Sequence, residues 1–290
     1  GGLGRLAACY MDSLATLGIP ATGYSLCYEL GIFRQKIVDG KQTEVADDWR
    51  SAAESWLVAR NDEAVEVRFG GTISPRWDSF GRYHAEHTGY QTVTAVPRDM
   101  LIAGYGGNEV NILRLWDARS TSALDMYLFS EGEYVKSLEQ RTMSEVITKV
   151  LYPADDHIEG KTLRLKQQYF FLSATAQSII KTHIKRFGDI KSFSKHHRIQ
   201  INDTHPALVI PELMRIMMDE YGLGWDEAWD QVSRSVAYTN HTVMSEALEK
   251  WPQDLVQTLL PRVWEILCEI NRRWCEYLVS KFGNSEKVGK

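Results

Sequence analysis

The sequence has few cysteines, and no two of them stand close enough to form a CxxC pair. Cys9, Cys27, Cys268 and Cys275 are the four, so the chain has neither a zinc-type motif nor a dense disulfide framework. This pattern is typical of free thiols in a reducing compartment, and it predicts a cytoplasmic protein without a metal site. Cys268 and Cys275 are two helical turns apart, which predicts that both belong to the buried stripe of a helix.

Long apolar runs and an excess of one charge are also missing. No stretch reaches the length of a membrane-spanning helix and no signal segment opens the chain, so we expect no membrane association. The 33 basic and 38 acidic side chains nearly balance, which disfavours nucleic acid as a partner. The densest basic cluster, residues 181–197, is interpreted as a solvated helix end followed by a polar loop.

Apolar residues are abundant, and their periodicity changes along the chain. Hydrophobic side chains make up 44% of the 290 residues, enough for a packed core. Residues 20–120 are predicted to be β-rich, with a hairpin turning at Asp39-Gly40, and residues 121–290 to alternate helices and strands, with the longest helix over 161–187. This order indicates one α/β domain that carries a β-rich insertion.

The first residues have the pattern of an anion-binding loop. Gly1, Gly2 and Gly4 lead into a helical pattern, and glycine at a helix N-terminus lets a phosphate reach N–H groups that lack intrahelical partners. Such a loop normally follows a buried strand, and none precedes Gly1. We therefore expect phosphate binding by a chain that begins in the middle of its fold. The alternative is an unsupported tail whose glycines have no function.

Two short apolar strands each end in a polar segment that contains a histidine. Residues 202–206 read Asn-Asp-Thr-His-Pro and residues 238–242 read Tyr-Thr-Asn-His-Thr. Open α/β sheets place ligand contacts at such strand ends. If the strands are neighbours in a parallel sheet, His205 and His241 line one crevice suited to a polyhydroxylated ligand. Helix capping by Asp203 or Thr204 and a structural role for each histidine are the alternatives.

Asp155 and Asp156 lie in the break before the longest predicted helix. Adjacent loop residues point in different directions, so two carboxylates that share one proton are not expected here. The pattern allows either a capping carboxylate or a single side chain that reaches a sugar hydroxyl.

Longer blocks of the sequence resemble the α-glucan phosphorylases, which include the glycogen, starch and maltodextrin phosphorylases. The match runs over essentially the whole chain, and these blocks carry it: GGLGRLAAC at 1–9, YELGIFRQKI at 28–37, EVADDW at 44–49, VNILRLW at 110–116, VLYP at 150–153, LRLKQQYF at 163–170, INDTHP at 201–206 and YTNHT at 238–242. The resemblance implies a partial Rossmann-like N-terminal domain of a two-domain, GT-B type glycosyltransferase. It further implies that the C-terminal domain, which bears pyridoxal 5'-phosphate, lies outside these 290 residues.

The resemblance also implies an activity for the intact protein. Members of the family transfer the terminal α-1,4-linked glucosyl unit of a glucan to inorganic phosphate and release glucose 1-phosphate with retained configuration. Pyridoxal phosphate is bound mainly by the C-terminal domain, and its own phosphate group relays protons. We accordingly expect a cytoplasmic, allosteric homodimer that degrades glycogen, and we expect the 290 residues alone to be inactive.

Roles for four residues on the phosphate and sugar side follow from the same resemblance. Gly1 and Gly2 would border the phosphates, and the backbone N–H of Leu3 would donate a hydrogen bond near the sugar. His241 would bind the glucosyl 6-hydroxyl, with its main-chain carbonyl close to the developing cationic carbon.

Five further residues are implied to contact the glucan or its surroundings. Asp155 and Asp156 would lie on the loop that gates the cleft, although relatives usually carry Asn or Ser at the position of Asp156. Asp203 and His205 would lie in the adjoining pocket, and Glu249 on the acceptor side.

Two other functions stay open. A glycogen or starch synthase-like sugar-nucleotide glucosyltransferase also uses a Gly-Gly-Leu-Gly loop, although the blocks at 201–206 and 238–242 are phosphorylase-like. A non-catalytic glucan-binding module is the other, because nine tryptophans permit stacking on carbohydrate. Five of them fall in predicted helices and strands, where we expect core packing: Trp116, Trp225, Trp229, Trp264 and Trp274.

Overall fold

The fold is that of a computed structural model, which describes residues 2–79, 83–121, 126–151, 154–245 and 248–283. The chain divides into two compact units. The first comprises Gly1–Val67 and Thr92–Ser178, and the second comprises Arg68–Gln91 and Ile179–Lys290. Over the described ranges, no helix combines the length and the apolar character needed to cross a membrane.

Strands and helices alternate along much of the chain, as the sequence predicts for an α/β protein. The strands are β1 (Thr22–Leu26), β2 (Arg34–Val38), β3 (Lys41–Val45), β4 (Val58–Ala59), β5 (Val65–Phe69), β6 (Thr72–Trp77), β7 (Tyr83–Thr88), β8 (Gln91–Ala103), β9 (Val110–Ser120), β10 (Ile199–Asn202) and β11 (Val236–Thr239). The helices are α1 (Leu3–Thr16), α2 (Trp49–Ala53), α3 (Met126–Ser130), α4 (Tyr134–Glu145), α5 (Ile158–Phe187), α6 (Phe193–His196), α7 (Val209–Arg215), α8 (Trp225–Ser235), α9 (Gln253–Leu259) and α10 (Pro261–Phe282). The mixed α/β class predicted from the sequence is confirmed.

The first unit is built on a mixed sheet in the order β1-β9-β8-β4, with β5 also paired to β8. β1 runs parallel to β9, whereas β8 is antiparallel to both β9 and β4. Every second residue over much of β8 is buried, the pattern of a strand with one covered face. Trp116 of β9 is fully buried, and its Nε1–H donates to Thr175 Oγ1 of α5 at 3.0 Å.

The predicted hairpin at Asp39-Gly40 is confirmed. β2 and β3 are antiparallel, with Val38 opposite Lys41. Asp39 and Gly40 have φ angles of 49° and 73°, the left-handed pair that a two-residue type I′ turn requires.

The second unit combines two small sheets with helices. β6 and β7 form an antiparallel hairpin, and β10 and β11 form a parallel pair. α7 supplies buried apolar residues, among them Leu213 and Met214, and a π-helical turn over Ile216–Glu220 extends it. α10 begins at Pro261, whose missing N–H costs nothing in a first turn, and it contacts α7 and α9.

Two predictions about burial on helices are wrong. Cys268 is exposed and Cys275 half-buried, because the buried residues of α10 are Val263 and Ile266 and Cys268 lies about 200° around the helix from Ile266. Among the tryptophans expected in the core, Trp116 is fully buried and Trp225 and Trp264 are half-buried, but Trp229 and Trp274 are exposed.

The interpretation of residues 181–197 as a solvated basic segment is also wrong in part. His183 is fully buried. Its Nε2–H donates to the carbonyl oxygen of Asp189 at 2.9 Å, so its Nδ1 accepts from His197 Nε2 at 3.0 Å. Phe193 and His197 stack with ring centroids 4.6 Å apart. The helix end therefore contains a hydrogen-bonded pair of imidazole rings, in which His183 is buried and His197 half-buried.

Candidate functional site

The parallel pairing of β10 and β11 brings the two histidine-bearing segments to one edge. Ile201 pairs with Tyr238 and Asn202 with Thr239, and the N–H of Asp203 donates to the carbonyl oxygen of Thr239 at 3.0 Å. The condition on which the sequence-based hypothesis depends, that the two strands are neighbours in a parallel sheet, is met. Because both strands end at the same edge, the segments that follow them begin side by side.

The segment after β10 opens with a residue in an unusual backbone conformation. Asp203 has a φ of 67°, a left-handed conformation that Asp tolerates because its short side chain bonds to nearby backbone. Its Oδ1 accepts from the N–H of Thr204 at 2.7 Å. α7 begins only at Val209, after Leu208, and no side chain caps it. Capping therefore does not explain Asp203.

The segment after β11 is ordered by its own polar groups. Asn240 Nδ2 donates to the carbonyl oxygen of Thr242 at 2.6 Å, and the N–H of Thr242 donates back to Asn240 Oδ1 at 3.2 Å. His241 lies between these two residues and is exposed. Its Nε2 is hydrogen-bonded to Asn202 Oδ1, across the strand pair.

The carboxylate of Glu249, from a later segment of the chain, also lies at this edge. Thr204 Oγ1 donates to Glu249 Oε2 at 3.4 Å. Among the residues singled out in the sequence, Asp203, His205, His241 and Glu249 thus gather around the ends of β10 and β11, where they are half-buried or exposed. Sequence reasoning assigned no role to Asn202, although it stands in the quoted INDTHP block. Only the strand register shows that it meets His241.

In the first unit, Gly2 is the residue before α1. The carbonyl oxygen of Gly2 accepts from the N–H of Leu6 at 3.2 Å, and no acidic residue stands in the first turn. Within the described part of the chain, a Cβ built on Gly2 or Gly4 meets no atom within 4 Å, so packing there does not require glycine. The helix N-terminus with free N–H groups suits an anion. Gly1 lies outside the described residues.

Asp155 and Asp156 are exposed and have separate partners. Asp155 Oδ2 lies 3.3 Å from Arg164 Nη1, and Asp156 Oδ1 lies 2.9 Å from His157 Nδ1. The hydrogen bond from His157 lowers the pKa of Asp156 below its ordinary value. The two carboxylates thus have different partners, which is what adjacent loop residues that point in different directions are expected to have.

A family comparison decides what kind of protein carries these features. The model of the carbohydrate phosphorylases matches residues 1–290, the whole chain. The chain belongs to the carbohydrate phosphorylase family. Its resemblance to the α-glucan phosphorylases, drawn from the ordered sequence blocks, is confirmed.

Curated relatives within the phosphorylase family come from bacteria and animals. The chain is 46% identical over 282 residues to the glycogen phosphorylase of Bacillus subtilis and 44% identical over 284 residues to that of Synechocystis sp.. It is 45% identical over 297 aligned positions to the liver form of glycogen phosphorylase from Homo sapiens. These alignments cover 97–98% of this chain but only 34% of each relative. The chain therefore spans about a third of the length of these phosphorylases.

Proposed function

We propose that the protein is an α-1,4-glucan phosphorylase that transfers terminal glucosyl units to inorganic phosphate and releases glucose 1-phosphate with retained configuration. The observation that carries the proposal is the parallel β10–β11 edge, where Asn202, Asp203, His241 and Glu249 converge within a family of phosphorylases. Amide, imidazole and carboxylate groups at one sheet edge match the alternating donors and acceptors of a sugar.

Each residue of this edge has a proposed role. His241 binds the glucosyl 6-hydroxyl, and its main-chain carbonyl faces the carbon that becomes cationic. Its exposed position and the ordered Asn240–Thr242 turn support this role, because a ring that binds substrate must be both accessible and oriented. Asp203 and His205 line the adjoining pocket, and Glu249 contacts the acceptor glucan.

On the phosphate side, we propose that Gly1 and Gly2 border the phosphates and that the N–H of Leu3 donates near the sugar. The open space over Gly2 and the free first-turn N–H groups of α1 fit a phosphate group. Asp155 and Asp156 form part of a gating loop, and their exposure supports this role.

Pyridoxal 5'-phosphate is the cofactor implied by the family resemblance, and when bound it supplies a phosphate that relays protons. The N-terminus of α1 is the part of this chain that fits a phosphate of this kind. Since the relatives are about three times as long as the chain, we propose that the cofactor is held mainly by a C-terminal domain that these 290 residues do not include. In that arrangement residues 1–290 form an incomplete, Rossmann-like N-terminal domain of a GT-B type enzyme.

The cellular setting is part of the proposal. Cys9, Cys27, Cys268 and Cys275 are all free thiols, which supports a reducing, cytoplasmic location. We propose an allosteric homodimer that acts in glycogen degradation, without nucleic acid, membrane or metal as partners. Sedimentation of the intact protein tests the dimer.

The experiment that tests the activity supplies the intact protein with pyridoxal phosphate, inorganic phosphate and glycogen, and measures glucose 1-phosphate. We expect turnover that depends on phosphate, and none from the 290 residues alone, because they lack the cofactor's main binding site. Release of glucose 1-phosphate by the 290 residues alone would contradict the proposed division of the site.

The same assay separates the two other functions considered for the sequence. A synthase-like enzyme would extend the glucan with ADP-glucose and ignore phosphate. A glucan-binding module would bind maltoheptaose tightly as the 290-residue chain and show no turnover in any form. Either result would replace the phosphorylase proposal.

A further inference from the structure

The side-chain oxygen of Asn202 contacts the imidazole ring of His241 across the β10–β11 pair. A carboxamide oxygen can only accept a hydrogen bond, so His241 must carry a proton on Nε2. In a neutral imidazole the other nitrogen, Nδ1, then has a free lone pair. The ring is thereby prepared to accept a hydrogen bond at Nδ1 from a hydroxyl group.

Asn202 and His241 differ in how strongly the surrounding backbone restricts their positions. Asn202 is the last residue of β10 and is fixed in register with Thr239, with the next N–H bonded to the Thr239 carbonyl. His241 stands on a loop and is exposed, so its side-chain torsions are not restricted by packing. A bond from a strand residue to a loop residue transfers the rigidity of the strand to the ring.

We propose that Asn202 is a positioning residue that fixes the orientation and tautomer of His241, so that Nδ1 accepts from the 6-hydroxyl of the glucosyl unit. The inference rests on the proposed function, in which His241 binds that hydroxyl. Asn202 itself acts through His241 and does not touch the substrate.

A neighbouring hydrogen bond provides the matched control. Gln200 Nε2 donates to Thr239 Oγ1 at 2.6 Å, and this bond also crosses from β10 to β11 between exposed side chains. The Gln200→Ala variant removes a cross-strand bond of the same kind, two residues away, without removing the acceptor for His241.

The test measures the intact enzyme in the synthetic direction with glucose 1-phosphate and with its 6-deoxy analogue as donors. For Asn202→Ala we expect KM for glucose 1-phosphate to rise roughly tenfold, the loss of about one oriented hydrogen bond, with a smaller change in kcat. With the 6-deoxy donor, the variant and the wild type should have the same KM. Gln200→Ala should match the wild type with both donors.

Several outcomes would overturn the role of Asn202 while leaving the phosphorylase proposal intact. One is a rise in KM for Asn202→Ala that is equal with both donors. The others are an equally large rise in KM for Gln200→Ala, and an unchanged KM for Asn202→Ala. If Asn202→Ala fails to fold, Asn202→Leu retains the side-chain volume and removes the acceptor, so the same donor comparison applies. A wild-type enzyme that is inactive with glucose 1-phosphate would instead overturn the proposed function and the sugar contact together.

Discussion

Two regions of the molecule contain hydrogen-bonded polar groups: the β8–β9 pair and the β10–β11 edge. They differ in how far these groups are exposed to solvent. On β8 and β9, Asp99 and Arg114 are both buried and form a bidentate pair with N···O distances of 2.8 and 2.7 Å. At the β10–β11 edge, His241 is exposed and Asp203 half-buried. Buried charges must be paired in the folded protein, whereas the edge leaves polar atoms accessible to a ligand.

The pKa of Arg114 shows how strongly the buried pair is coupled. Burial alone lowers the pKa of this guanidinium, but its hydrogen bonds to Asp99 and Glu63 more than offset the effect and raise the pKa above its usual value. Substitutions on β8 and β9 should therefore change stability, whereas substitutions at the edge should change activity.

Asp117 of β9 should be the position where a substitution lowers stability most. Its buried carboxylate accepts from Arg50, Arg98 and Arg119 at 2.7–3.0 Å. Asp117→Ala leaves these guanidinium groups without their shared acceptor, so we expect the free energy of unfolding to fall by about 3 kcal/mol. Urea denaturation measures the change. Asp62→Ala, which removes an exposed partner of Arg60, is the control and should have a much smaller effect. Equal losses of stability in the two variants would show that burial of the carboxylate does not determine its contribution.

At the edge, His241→Ala should lower kcat/KM without destabilising the fold. Loss of a hydrogen bond that is formed in the transition state costs roughly 100-fold, or about 2.7 kcal/mol. Because His241 is exposed, the thermal unfolding midpoint should not move. Val243→Ala removes a fully exposed side chain from the same loop and should leave both quantities unchanged. A large drop in the thermal unfolding midpoint of His241→Ala would mean that the imidazole ring stabilises the fold.

A third prediction concerns the end of β8, where backbone rather than charge decides stability. A Cβ on Gly104 would lie 2.4 Å from the carbonyl carbon of Ala15 and the nitrogen of Thr16, so Gly104→Ala forces α1 and the sheet apart. We expect a loss of about 2 kcal/mol in the free energy of unfolding. Gly107→Ala is the matched control, because its Cβ would meet atoms only at 3.9 Å or beyond. Similar stabilities of the two variants would contradict the close approach of Gly104 to the backbone of α1.

Local sequence signals predicted much of this fold. The Asp39-Gly40 turn and the long α5 depend on neighbours in the sequence, and the structure confirms both. The burial of His183 was not predicted, because it depends on packing against Phe193 and His197 from a different helix and loop. A composition-based reading of residues 181–197 contains no information on such contacts.

The candidate site was also predictable only in part. The strand ends that carry His205 and His241 follow from the apolar runs before them. The contact between Asn202 and His241 does not, because it requires the register of two strands separated by more than thirty residues. One residue of slip would place Asn202 on the other face.

The second unit should show a weaker effect on stability, which comes from the half-buried His197 and depends on pH. Burial lowers the pKa of His197 to about 4, and His183, His196 and Arg186 add to the shift. An unfolded histidine has a pKa of about 6.5, so the unfolded chain binds more protons between these values and stability falls as the pH drops from 6.5 towards 4. At pH 5 the full shift in pKa corresponds to about 2 kcal/mol. Because His197 is only half-buried, solvent screening weakens the interaction, and we expect a loss of about 1 kcal/mol from this group.

Unfolding midpoints measured from pH 8 to pH 5 check this dependence. His197→Phe removes the titrating group and retains a ring that can stack on Phe193, so its midpoint should vary less with pH than that of the wild type. His157→Gln removes an exposed histidine and should leave the steeper wild-type dependence in place. Parallel curves for His197→Phe and the wild type would show that the imidazole pair does not affect acid stability. The distinction between buried polar groups that stabilise and exposed ones that bind would then hold for β8 and β9 but not for this helix end.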